Sequence, residues 1–63
     1  MPEVVVYLLE GRSIEQKRAL VKDITDAVVK NLEAPAQAVT VSLIETAKTS
    51  KAKAGVLFSD MGR

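Results

Sequence analysis

Consecutive apolar positions open the chain, in the run Val4-Val5-Val6-Tyr7-Leu8-Leu9. Without polar alternation, such a run predicts a strand buried on both faces. Val4, Val6 and Leu8 then point one way, and Val5, Tyr7 and Leu9 the other. Glu10-Gly11-Arg12 turns the chain, with Gly11 free to take a positive φ. Ser13 can cap the free amides of a helix, and Gln16 three residues later completes a capping box.

The spacing predicts that helix from Ile14 to about Leu32. Leu20, Ile24, Val28 and Leu32 recur every four residues, and Val21 and Ala27 widen the stripe. Lys17, Arg18, Lys22, Asp23, Asp26 and Lys30 lie opposite, as a solvated charged face. Pro35 cannot continue the helix and restricts Ala34 before it. Val39–Ile44 reads as a second strand, the polar, cationic stretch Thr46–Lys53 as a loop, and Gly55–Ser59 as a short terminal strand or hairpin. Strand, helix, strand implies parallel pairing with a right-handed crossover. The expected fold class is α/β (α+β): one β-α-β unit with a short C-terminal hairpin, as a single domain over residues 1–63.

One helix covers one face of a two-stranded sheet, yet the first strand is apolar on both. The uncovered face should therefore meet another subunit, and burying a side chain such as Val5 or Leu9 stabilises by roughly 1.5–3 kcal/mol. Length strengthens this. A core built from 63 residues rarely supplies more than about 3–5 kcal/mol. With no cysteine and no histidine, disulfides and the usual zinc ligands are excluded. Oligomerisation is the remaining stabiliser.

A hydrophobic content of 48% is too high for a disordered peptide. The net charge of +1 gives no field that implies nucleic acid or an anionic membrane. Tyr7 and Phe58 are the only aromatics, too few for a base-stacking platform. No apolar run approaches the roughly 20 residues that span a bilayer, and Met1-Pro2-Glu3 lacks the start of a signal peptide. The expectation is a soluble cytoplasmic protein with neither nucleic-acid nor membrane partners.

The inventory also narrows the chemistry. Without His or Cys there is no serine triad, thiol nucleophile or imidazole base. Gly11, Gly55 and Gly62 are scattered, so no phosphate-binding loop is present. No metal site or cofactor is expected. Pro2 follows Met1, and removal of Met1 would expose a secondary amine at the start of the strand. Terminal amines titrate at about 7.7–8.0, and a secondary amine is more basic; an apolar pocket and nearby positive charge would both lower that value. Met-Pro by itself better fits a proline that merely begins a strand, where a missing N–H costs little.

The wider pattern decides between these. Met1-Pro2, the apolar strand, Leu9-Glu10-Gly11-Arg12-Ser13, Glu15-Gln16-Lys17, Ala34-Pro35, Ile44-Glu45 and Ala54-Gly55 stand in one register along the whole chain. In that order they resemble the 4-oxalocrotonate tautomerase family. The resemblance implies a β-α-β subunit that pairs into dimers, three of which form a homo-hexamer. It implies interconversion of enol and keto forms of a small unsaturated 2-hydroxy or 2-oxo acid. Pro2 matches the proline that shuttles the proton. Arg12 matches an arginine that grips a substrate carboxylate across a subunit boundary, a task its planar fork suits.

Two positions depart from the family pattern. Thr40 stands where a second arginine binds and polarises the substrate, and a hydroxyl polarises a carbonyl less strongly than a cation. Lys51 replaces an aromatic wall of the pocket. It either restores the missing charge near Pro2 or is a solvated loop cation in company with Lys48 and Lys53. These departures keep two further readings open. One is a hetero-oligomer whose second chain completes the site; the other is a non-catalytic oligomeric scaffold.

Overall fold

The structure, a computed structural model, describes residues 1–61. The last two positions of the expected 1–63 domain lie outside the described residues. Strand β1 spans Glu3–Leu9, helix α1 Ile14–Leu32, strand β2 Thr40–Thr46, and the short strands β3 and β4 Ala52–Lys53 and Val56–Leu57. β1 and β2 pair in parallel, with Glu3 beside Thr40 and Leu9 beside Thr46. The expected β-α-β unit is therefore present. β2 extends two residues past the expected Ile44, because β1 offers ladder partners as far as Leu9.

The expected C-terminal hairpin is present, but its first strand and a 3-10 turn fall within Thr46–Lys53, the stretch expected as a loop. Lys48–Ser50 forms one 3-10 turn, and β3 and β4 make an antiparallel hairpin pairing Ala52 with Leu57 and Lys53 with Val56. Ala54 and Gly55 join them at φ 53° and 79°. Positive φ at both central residues is what lets a two-residue turn match the twist of its strands.

Both ends of α1 are closed locally. Gln16 N–H donates to Ser13 Oγ at 3.1 Å, and Ser13 N–H donates to Gln16 Oε1 at 3.0 Å. At the other end Glu33 takes a left-handed conformation (φ 56°) and donates its N–H to Val29 O at 3.0 Å, two residues before Pro35. The exposed Lys22–Asp26 pair, 2.8 Å apart, lies on the solvent side of the helix. The hydrogen bond to Asp26, reinforced by its charge, raises the Lys22 pKa above the ordinary lysine value.

The inner side of the unit is made by Val4, Val6 and Leu8 of β1 and Val41 and Leu43 of β2, with Val21, Ile24 and Val28 of α1, all half-buried. The helix stripe differs from the expected one. Leu20 and Leu32 are 37% and 62% exposed and Ala27 is exposed, whereas Thr25 and Lys17 are half-buried. A two-stranded sheet is narrower than the stripe and leaves its margins uncovered. Lys17, expected on the solvated face, instead reaches the end of β2, where its Nζ lies 2.8 Å from Glu45 Oε1.

None of the described residues is buried in the isolated chain. Its radius of gyration is 14.9 Å, against roughly 11 Å for a compact domain of this length. The side of the sheet away from α1 presents Val5, Tyr7 and Ile44, with Tyr7 71% exposed. That face is an apolar surface left uncovered by the single chain.

Candidate active site

Pro2 immediately precedes β1 and is half-buried. Its carbonyl accepts the N–H of Thr40 at 3.1 Å, which ties the start of the chain to the start of β2. Thr40 is thus brought beside Pro2 through the backbone. Thr40 pairs with Glu3, both are exposed, and the alternation of the ladder sets them on the open face with Val5 and Tyr7.

Arg12 lies at the opposite end. β1 runs for seven residues between them, which at about 3.3 Å per residue is roughly 23 Å. Beyond Leu9, Glu10 N–H donates to Thr46 O at 3.0 Å, and Gly11 turns at φ 122° to deliver Arg12 to the start of α1. A side chain with a Cβ would be strained at that φ, so the glycine sets where Arg12 emerges. There Arg12 lines a cleft of about 220 Å³ with Leu8, Gln16, Lys17 and Leu20. A broader depression of about 370 Å³ lies between the two turns that follow the strands, lined by Glu10, Gly11, Ala47, Lys48 and Thr49.

Lys51 follows the 3-10 turn after β2, also away from Pro2 in chain order, because β1 and β2 are parallel. It is half-buried, unlike Lys48 and Lys53. Its carbonyl accepts the Phe58 N–H at 2.7 Å, and its Nζ stands 6.0 Å from the centre of the Phe58 ring, at the outer reach of a cation–π contact. Within one chain, then, Pro2 and Thr40 share one end of the sheet, and Arg12 and Lys51 follow the other.

Two residues at these places escaped the sequence reading as site residues. Gln16 was legible as a cap but not as part of a cleft. Phe58 could be flagged only as the single Phe of the chain, since nothing local indicates that the hairpin folds it back on Lys51. Among the described residues, no group of three His, Cys, Asp or Glu side chains is placed to hold a metal ion, and no helix is long and apolar enough to cross a membrane.

Known proteins resemble this chain in sequence and fold over nearly its whole length. The Tautomerase enzyme family profile matches residues 2–61. A probable tautomerase of Listeria innocua is 49% identical over 61 residues, 97% of this chain and all of that protein. The 2-hydroxymuconate tautomerase of Comamonas testosteroni is 40% identical over 63 residues, the whole of both chains. Among solved structures, YwhB, a homologue of 4-oxalocrotonate tautomerase, superposes with a TM-score of 0.90 at 43% identity, covering 97% of this chain and 100% of its own. With fold and sequence in agreement over nearly all of its residues, this chain belongs to the tautomerase family, of the 4-oxalocrotonate type.

Proposed function

We propose that this protein interconverts enol and keto forms of a small unsaturated 2-hydroxy or 2-oxo acid, with the amine of Pro2 as general base once Met1 is removed. In this reading Arg12 of a neighbouring subunit grips a carboxylate of the substrate. Thr40 offers a hydroxyl hydrogen bond where a cation would polarise more strongly, and Lys51 supplies a second positive charge. No cofactor takes part. The assembly is a homo-hexamer built as a trimer of dimers.

The observation that carries the reading is the separation of Pro2 from Arg12 by the length of β1, in a chain whose described residues are nowhere buried. A base and a carboxylate grip roughly 23 Å apart cannot serve one small acid within a chain. Packing of subunits through their open sheet faces would supply both a core and a site that combines the two ends.

The reaction itself needs only a positioned base. Pro2 nitrogen removes the hydroxyl proton of the enol and returns a proton to carbon, while the guanidinium holds the acid in place. Such proton transfer contributes about 10²–10⁴-fold. The test is turnover of phenylpyruvate and 2-hydroxymuconate by the Met1-free protein. Pro2→Ala is expected to lower kcat at least about 100-fold with the assembly intact. An undiminished rate in that variant would remove the amine from the mechanism.

A further inference from the structure

We propose that Gln16 is a second carboxylate-recognition residue, acting beside Arg12 in the cleft walled by Leu8 and Leu20. The inference rests on the reading of Arg12 as the carboxylate grip and deepens it. It follows from what each polar group of the cleft has left to offer. A backbone N–H can only donate, so the atom that meets Ser13 N–H at 3.0 Å must be the oxygen of the Gln16 amide. Ser13 Oγ lies 3.4 Å from the same oxygen. The helix cap therefore fixes the amide: its oxygen is committed, and its two Nε2 hydrogens have no acceptor among the described residues.

The third polar group of the cleft, Lys17, is already matched by Glu45 at 2.8 Å. Arg12 has no ion-pair partner among the described residues. The uncommitted groups of the cleft are thus one guanidinium and one primary amide, both donors only. Leu8 and Leu20 add apolar walls. One unmatched cation with a neutral donor suits a single carboxylate, whose two oxygens can accept from both side chains, with the carbon skeleton against the leucines. The capping box that starts the helix would then also orient a recognition group.

The test compares KM and kcat for 2-hydroxymuconate in Met1-free wild type, Arg12→Ala, Gln16→Met and Ser13→Ala, with assembly and Tm followed in each. Gln16→Met removes the amide donors together with one capping bond. Ser13→Ala removes the other capping bond and leaves the Gln16 amide in place. Recognition by Gln16 predicts a KM raised about tenfold or more in Gln16→Met, as expected for a hydrogen bond to a charged group, with kcat within about threefold, and a clearly smaller rise in Ser13→Ala, which keeps the Ser13 N–H on the amide oxygen. If Arg12→Ala raises KM while Gln16→Met and Ser13→Ala shift it equally, Gln16 is only a cap and the inference fails alone. If Arg12→Ala leaves KM unchanged, or the wild type does not turn the diacid over, the carboxylate-grip reading fails and takes this inference with it.

Discussion

The amide of Thr40 donates to the carbonyl of Pro2 at 3.1 Å, so the residue proposed as base is hydrogen-bonded into the sheet before the first strand begins. Pro2 lends its carbonyl to the ladder and, having no N–H while Met1 is attached, asks for no partner in return. Its nitrogen stays available for chemistry only if Met1 is gone. A preparation that retains Met1 carries an amide there, with no basic lone pair. We predict the same fold and assembly but no tautomerase turnover in that form. Intact mass and rate measured on one sample decide it, and activity in fully Met1-retaining protein would exclude Pro2 as the base.

The distance between Pro2 and Arg12 gives a prediction that needs no knowledge of the substrate. Pro2→Ala and Arg12→Ala subunits, each inactive or nearly so alone, should recover activity when unfolded together and reassembled. If each site takes its proline from one chain and its arginine from another, random mixing of equal amounts leaves about a quarter of the sites complete. Recovery near that fraction is the expected result. Persistent inactivity in correctly sized mixed assemblies would show that both residues must come from one chain.

The sequence exposed the scaffold because its signals are local. Ser13 and Gln16 form the capping box at their expected spacing, and the apolar run forms β1 as expected, with one of its faces half-buried under α1 and the other left largely exposed in the single chain. Elements whose partners lie far along the chain were less visible. β2 gained Glu45 and Thr46 from its register with β1, and Lys17 turned inward because β2 ends with a carboxylate there. Ala54 gave no turn signal of its own, since alanine rarely takes positive φ. Pro2, Arg12, Thr40 and Lys51 became candidates through the resemblance to the 4-oxalocrotonate tautomerase family. Only the fold separated them into two ends.

That alanine is itself testable. Ala54 sits at φ 53° beside Gly55, a conformation that glycine adopts without the steric cost of a Cβ. Ala54→Gly is expected to stabilise the hairpin by a few tenths to about 1 kcal/mol, offset in part by the freer unfolded chain. Thermal unfolding at fixed protein concentration should show a small rise in Tm. A fall would mean that the tail draws its order from contacts of the Ala54 methyl rather than from the turn.

Thr40 and Lys51 divide the proposed charge between them. Thr40→Arg should raise kcat/KM for 2-hydroxymuconate by about tenfold or more, because a guanidinium at the start of β2 polarises a carbonyl that a hydroxyl polarises weakly. Lys51→Met should lower it in the wild-type background and matter less when combined with Thr40→Arg. The two substitutions measured singly and together give the coupling directly. An unchanged rate on Lys51→Met in both backgrounds would assign Lys51 to the solvent, and simple additivity of two real effects would show that it does not substitute for the charge missing at Thr40.

Tyr7 offers the strongest test of assembly. It lies at the middle of β1, opposite Ile44, and is 71% exposed on a face that α1 does not reach. Aromatic side chains bury about 150–250 Å² when covered, so leaving this one in water forfeits much of what the open face can contribute. A charge placed there must either be desolvated or keep the partner away. Tyr7→Asp is therefore expected to yield monomers by sedimentation. Because no described residue is buried in the lone chain, those monomers should also lose most of their helical circular dichroism at micromolar concentration. Tyr7→Phe, which keeps the apolar area, should assemble as wild type. A folded, cooperative Tyr7→Asp monomer would show that the β-α-β unit supports itself, and the link between assembly and folding would have to be given up.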